Sequence, residues 1–386
     1  MSTSPAYQQR LTQEIDRFRE VTNANDLPEI YSYWYERYVT PKFDELGIAS
    51  LDSFYAQPII ELCGKRNGTV VRIASLGSGN GELEVRLAQS VVGAGFANFE
   101  VSCIELNGTM QQRTQALADA AGVGGHLRLI EADLNAWTAD GEYDVVIASH
   151  SLHHVVALEH VFQQVASGLK SDGVLLVNDM IGRNGHMRWP EALLFVQSIW
   201  TQLPDRFKYN QQLKVLDERF VNRDCSSEGF EGIRAQDILP LLLRTFHPEL
   251  FLAFANIIDV FVDRGYGHNF DVASPDDAQF IDRVARLDDL AIDLGLVKPT
   301  HLIASFRPQP IPVRFSRHWS PDFCVRDPDN GRLGAAVFGE LQERCELAEA
   351  GQHHAERQLN ALLASRSWRY VQPLRKVYNK LRGRPG

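Results

Sequence analysis

An α/β fold on a mostly parallel sheet is predicted by three observations. Apolar, β-branched runs of strand length recur between residues 69 and 179. Helix-length segments separate them, and the first run ends in a cluster of glycines. Strands alternating with helices build βαβ units, whose strands lie parallel. The strands are expected at Thr69–Leu76, Asn98–Glu105, Leu127–Glu131, Tyr143–Ser149 and Gly173–Asp179. The intervening helices are expected at Glu82–Val91, Thr109–Ala121 and Leu158–Leu169. After Asp179 the rhythm changes. A helix is expected at Ala235–Phe246, and two late strands at Phe251–Ile258 and His301–Phe306, with a helix near Asp276–Leu294 between them. The total is a seven-stranded sheet.

The flanks divide the chain further. Residues 1–66 read as a helical N-terminal cap, dense in aromatics at Tyr31, Tyr33, Trp34, Tyr35 and Tyr38. Positions 31, 34/35 and 38 share a helix face, which suits core packing or a lid over a site. Residues 67–307 hold the sheet, with an irregular insertion over 183–232. Five prolines between 308 and 334 mark a linker. Residues 335–386 read as one long helix, Ala335–Leu363, followed by a basic tail. That helix is a candidate surface for self-association.

Composition narrows the function classes. Of 386 residues, 44% are hydrophobic and 23% charged, as in an ordinary globular protein. The net charge of −10 is unevenly spread. Residues 361–386 hold seven Lys and Arg and no acid, so the body carries −17. An acidic body lacks the basic footprint of a nucleic-acid binder. The five cysteines form no CxxC pair, which fits a reducing compartment and no zinc ribbon. Residues 1–20 contain no leader-like apolar run, and no segment approaches the ~20 apolar residues of a membrane span. The expectation is a cytoplasmic protein, with any membrane contact peripheral, at the inner face.

The sharpest local signal is Ala74-Ser75-Leu76-Gly77-Ser78-Gly79-Asn80-Gly81. Glycines at the carboxyl end of a strand let a ligand approach the backbone, and the following helix aims its N-terminus at it. A dinucleotide fingerprint is G-x-G-x-x-G. Here the third glycine comes one residue early, and Glu82 stands in its place. An acid there would face a pyrophosphate, so a ligand without phosphates fits better. Glu105 ends the second strand, where a carboxylate can accept from two ribose hydroxyls. Asp133 follows the third, where a carboxylate can accept from an adenine amino group while the Leu134 N–H meets a ring nitrogen. The fourth strand ends in Ser149-His150-Ser151-Leu152-His153-His154-Val155.

In this order and at these distances, the glycine turn, the two strand-end acids and the Leu-His-His-Val segment resemble a class I S-adenosylmethionine-dependent methyltransferase. The resemblance is close over about 69–180 and looser to 307. It implies a Rossmann-like sheet and S-adenosyl-L-methionine as cofactor, held by Gly77, Ser78, Gly79, Gly81, Glu105, Asp133, Leu134 and Ser149. One departure is Ser75, where many members carry an acid; an expected contact to the methionine amino group is thereby weakened.

Methyl transfer to a hydroxyl is helped by a base that takes its proton. His153 and His154 are the candidates, with His150 beside them, and Asp179 at the end of the fifth strand could serve as base or orient a histidine. Arg183, Asn184, His186 and Arg188 follow and could bind a polar acceptor or form an ordinary solvated loop. The insertion 183–232, with Trp200–Lys214 in it, would cover the acceptor. No metal site is expected, because adjacent histidines on a helix point about 100° apart. Residues 365–375 (Ser365-Arg366-Ser367-Trp368-Arg369 to Pro373-Leu374-Arg375) resemble a tail of bacterial surface-polysaccharide enzymes. That tail, 364–386, could lie on an anionic membrane or join an assembly complex, and it points to a glycan acceptor. Three other readings stay open: a methyltransferase of a small metabolite or lipid, a non-catalytic module that binds the cofactor, and a nicotinamide-dependent oxidoreductase.

Overall fold

Five apolar runs form the parallel core of the sheet. The computed structural model describes residues 4–19, 27–66, 68–227 and 229–326. The parallel strands are β1 (Val71–Leu76), β2 (Phe99–Glu105), β3 (Leu127–Glu131), β4 (Tyr143–Ser149) and β5 (Leu169–Met180). Val71, Ile73, Ala74, Val145, Val146, Ile147, Leu176 and Val177 are fully buried, which is why the runs are continuously apolar rather than alternating.

The cap comprises α1 (Pro5–Arg19), α2 (Glu29–Trp34), a π-helical turn at Tyr35–Val39, α3 (Thr40–Leu46) and α4 (Leu51–Lys65). The Ser50 hydroxyl accepts from the Ser53 N–H, and the Ser53 hydroxyl accepts from the Ser50 N–H, so α4 starts on a reciprocal cap. The crossover helices are α5 (Glu82–Gly93), α6 (Gly108–Ala120) and α7 (Leu158–Gly168). Beyond β5 come α8 (Pro190–Trp200), a small hairpin of β6 (Tyr209–Asn210) and β7 (Val215–Leu216), and α9 (Ala235–Thr245). Then follow β8 (His247–Phe254), α10 (Asp259–Val262), α11 (Pro275–Asp293), β9 (His301–Arg307), β10 (Arg314–Phe315) and α12 (Pro321–Cys324).

The sheet has eight strands in the order β10-β8-β9-β5-β4-β1-β2-β3. β9 runs antiparallel to both β5 and β8. Its reversal brings its first residue, His301, opposite Met180 at the end of β5. The predicted run Phe251–Ile258 stops being strand at Phe254. Ala255 has φ 57°, and the amides of Asn256 and Ile257 donate to the Asp288 carboxylate at 3.1 and 2.7 Å. Ala255, Ile257 and Ile258 are apolar because the turn is buried.

The predicted linker is folded in its first part. Arg314–Phe315 pairs with β8 as the eighth strand, and Trp319 is 1% exposed, its indole N–H donating to Asp293 at 2.7 Å. Proline forbids a central ladder, not a two-residue edge strand. The proposed helix 335–363 and basic tail 364–386 lie outside the described residues. No helix among the described residues is long and apolar enough to cross a membrane.

Candidate active site

A cavity of about 600 Å³ opens at the carboxyl edge of β1, β2 and β4. Its floor begins with the glycine turn. Gly77 and Gly81 have φ of 68° and 74°, in the left-handed region. A Cβ on Gly77 would come within 2.7 Å of the Ser151 side chain, and one on Gly81 would overlap Thr114. Only glycine fits either place. Gly77, Ser78 and Gly79 line the cavity; Gly81 does not, and serves the turn instead. It also heads α5 as an N-cap without a side-chain hydrogen bond.

Glu105 ties the turn to β2. Its two carboxylate oxygens accept from the Gly79 and Asn107 amides, each at 2.9 Å. Burial raises its pKa against those donors. Asp133 accepts from the Asn135 amide at 2.9 Å and, through its other oxygen, from the Tyr7 hydroxyl at 2.6 Å. Leu134 and Ser149 also line the cavity, and Ser149 accepts from the Tyr55 hydroxyl at 3.0 Å.

At Ser75, where an acid was expected, a carboxylate of α5 stands behind the hydroxyl. Glu84, 1% exposed, accepts from the Ser75 hydroxyl at 2.5 Å. Burial pushes its pKa up to about 7, and its second oxygen has no hydrogen-bond partner.

The histidines divide into two groups. His150, His154 and His301 line the cavity. His150 has φ 51°, a strained conformation for a residue other than glycine. It is exposed to the cavity, yet its enclosure lowers its pKa to about 4. His154 lies 2.7 Å from the Glu14 carboxylate of α1, and is near enough to Glu105 to help lower that acid's pKa. His301 has Nδ1 3.5 Å from Asp259 and 3.2 Å from the Thr300 hydroxyl, and its ring stacks on Phe254 at 5.3 Å. The sequence reading missed it.

His153 and Asp179 are buried behind the cavity wall. Asp179 accepts from the Ser151 and Leu152 amides and holds His153 Nδ1 at 2.5 Å. Burial alone would lower the His153 pKa; Asp179 and Glu231 overcome it and raise it to about 10. Asp179 therefore orients a histidine, one of the two roles its place suggested.

The insertion contributes less than expected. Of the described residues in 183–232, only Phe230 lines the cavity. Trp200 is fully buried against Tyr266 and Phe220. Arg188 pairs internally with Asp259 at 3.0 Å. The aromatic segment of the cap divides instead: Trp34 is core, Tyr31 and Tyr35 line the cavity, and Tyr33 and Tyr38 donate to Asp282. Tyr31 and Tyr35, with Leu51, Tyr55, Phe254 and Ile303, form the aromatic and apolar half of the cavity, where an acceptor would sit.

The donor set fits S-adenosylmethionine. A Cβ-free turn, the start of α5 and two strand-end carboxylates meet in one crevice of about 600 Å³. Residues 73–173 match the family described as a methyltransferase domain. No curated protein sequence matches the chain. Among solved structures, the O-methyltransferase of a trans-AT PKS multienzyme of Brevibacillus brevis, in complex with S-adenosyl-L-homocysteine, is 11% identical; 66% of this chain and 71% of that one align, with a TM-score of 0.38. StiE O-MT residues 961–1257 are 12% identical over 82% and 89%, with a TM-score of 0.38. The [4+2]-cyclase SpnF is 14% identical over 66% and 81%, with a TM-score of 0.36. Overlaps this low carry no conclusion about the reaction. The domain match spans the glycine turn, Glu105, Asp133 and Ser149, the residues that would hold S-adenosylmethionine.

Proposed function

We propose that this methyltransferase acts on a hydroxyl oxygen, and that the acceptor is a sugar of a bacterial surface glycan or of its lipid-linked precursor. The observation that carries the oxygen reading is the pair of imidazoles, His150 and His301, at the aromatic end of the cavity. S-adenosylmethionine supplies an electrophilic methyl group.

The chain's residues do the rest. Glu105 would accept from the ribose hydroxyls, and Asp133 with the Leu134 N–H would hold the adenine edge. The glycine-turn amides and the start of α5 face the polar methionine end. Tyr31, Tyr35, Tyr55 and Phe254 form walls that exclude water and can stack on a sugar face. His301 takes the hydroxyl proton. Its Nδ1 is turned to Asp259 and Thr300, which leaves Nε2 for the acceptor and stabilises the imidazolium that forms. His150, held neutral, positions the same oxygen. His153, anchored by Asp179, fixes the turn that carries His150 and His154.

The glycan assignment draws on the aromatic walls and on the tail sequence 364–386, which would bring the enzyme to an anionic membrane face or an assembly complex. The predominantly apolar character of Leu51, Phe254 and Ile303 favours a second reading, a small apolar metabolite or lipid. The test is methyl transfer from isotope-labelled S-adenosylmethionine by the full chain to sugar nucleotides, lipid-linked sugars and apolar alcohols. Label on a sugar oxygen supports the first reading. Label on the apolar alcohols alone replaces it with the second. Cofactor binding without transfer to any oxygen overturns both.

A further inference from the structure

Behind the cavity lies a second cluster that the methyl-transfer chemistry does not use. His153 and His186 each bring a ring nitrogen, and Glu231 a carboxylate oxygen; these atoms all lie within 4.8 Å of one another. The three residues come from three separate segments: the turn after β4, the loop after β5 and the loop before α9. His186 Nε2 is 2.8 Å from the Glu231 carboxylate, and His153 Nε2 is 3.5 Å from it. His153 Nδ1 is already held by Asp179, so Nε2 is the nitrogen the cluster receives.

The backbone is strained to bring His186 there. His186 has φ 54° and follows Gly185 at φ 66°. Gly232, the neighbour of Glu231, passes so close that a Cβ would stand 3.1 Å from the His186 ring. Strain of this kind persists where surrounding structure enforces it, and it gathers at functional sites.

We propose that His153, His186 and Glu231 bind a divalent transition-metal ion of the zinc class, with Asp179 orienting His153 from the second sphere. Two imidazoles and one carboxylate suit such an ion better than magnesium or calcium, which prefer all-oxygen sets. A carboxylate on the far nitrogen of a ligating histidine is the usual second-sphere partner. Tetrahedral bonds of about 2.0–2.1 Å place ligand atoms about 3.3 Å apart; the two measured separations fall on either side of that value. Asp179 and Glu231 also bring two carboxylates to one buried place, which favours a cation. Of the adjacent His153 and His154, this set takes only His153, so the divergence of adjacent rings is no obstacle.

None of the three lines the cavity, so the ion acts as a clamp and not as a Lewis acid on the acceptor. It fastens three loops at the ligand edge, one side chain away from His154, whose ring centroid is 4.2 Å from that of His153.

The experiment uses the full-length protein, treated with chelator, dialysed and titrated with Zn2+ and Co2+ by calorimetry, with bound metal counted by mass spectrometry. The expected result is one Zn2+ equivalent that is lost, or at least tenfold weaker, in His186→Ala and Glu231→Gln. S-adenosylmethionine binding in the same variants reports whether they fold. The Co2+ spectrum of the wild type reads the ligand set without any variant: weak visible bands with no thiolate charge-transfer are expected. No bound equivalent in the wild type, equal binding in folded variants, or a thiolate band would overturn the proposal and leave the cluster as a hydrogen-bond network.

Discussion

The two halves of the cavity are built differently. The cofactor half uses backbone amides and strand-end carboxylates from a single stretch, Gly77 to Ser149. The acceptor half uses side chains from the cap, from β8 and from β9, with Tyr31 and Ile303 at the extremes. Backbone recognition depends on the course of the chain, so few substitutions are tolerated and the chemistry bound is fixed. Side-chain recognition can be altered one residue at a time. Damage to the first half should therefore abolish cofactor binding, whereas damage to the second should spare binding and change turnover or acceptor choice.

The severest challenge to that contrast is Gly79→Arg. Gly79 lines the cavity at φ 56°, and its amide holds Glu105. The variant is expected to lose S-adenosylmethionine binding by calorimetry; binding within tenfold of wild type would break the comparison. Next is His301→Ala, expected to lower kcat by about 10²–10⁴-fold, as for loss of a base, with the cofactor Kd unchanged within about twofold. A matched loss of cofactor affinity would place His301 in the wrong half.

Glu84 sharpens the first half through pH. Its folded pKa of about 7 lies above the ordinary 4.5. Between those values the folded protein keeps a proton that the unfolded chain has released. The stabilisation is thus complete below about pH 4.5 and is lost as pH rises through about 7, a span worth roughly 3 kcal/mol. The groups that act on it are Ser75, Glu105 and Arg86, together with its own helix amide. Glu84→Gln should flatten the fall in thermal midpoint between pH 5 and 8; an unchanged slope would assign that slope elsewhere. The smallest expected effect is that of Tyr7→Phe, a loss of about threefold in cofactor affinity from one hydrogen bond to Asp133. No change would place Tyr7 outside the cofactor half.

Legibility in the sequence follows the same division. The parallel strands announce themselves as buried β-branched runs, and Gly77, Glu105 and Asp133 stand at their ends, where an α/β sheet binds ligands. His301 gives no such signal. It is a polar residue at the start of a late strand, and only the antiparallel course of β9, with Met180 opposite, puts that start at the ligand edge. Apolar periodicity reports that a strand exists but not which way it runs. Tyr7 and Glu14 sit on a helix with no motif, and their partners are 126 and 216 residues away. Glu84 was hidden for another reason: an acid on a helix reads as solvated until the fold buries it beside Ser75.

The attachment of α1 also bears on how long the cofactor stays bound. Tyr7 holds Asp133 on the adenine side, Glu14 receives the Phe230 amide at 3.1 Å, and the Asn107 side chain donates to the Ile15 carbonyl. Leu11 lies between these fastenings and the Ile15 side chain at the last of them, both over the crevice. A nucleoside leaving past α1 would have to break these contacts, so its residence time would be coupled to the undocking of the helix. Enzyme turnover can then be paced at residues 7–15, far along the chain from the histidines that handle the proton.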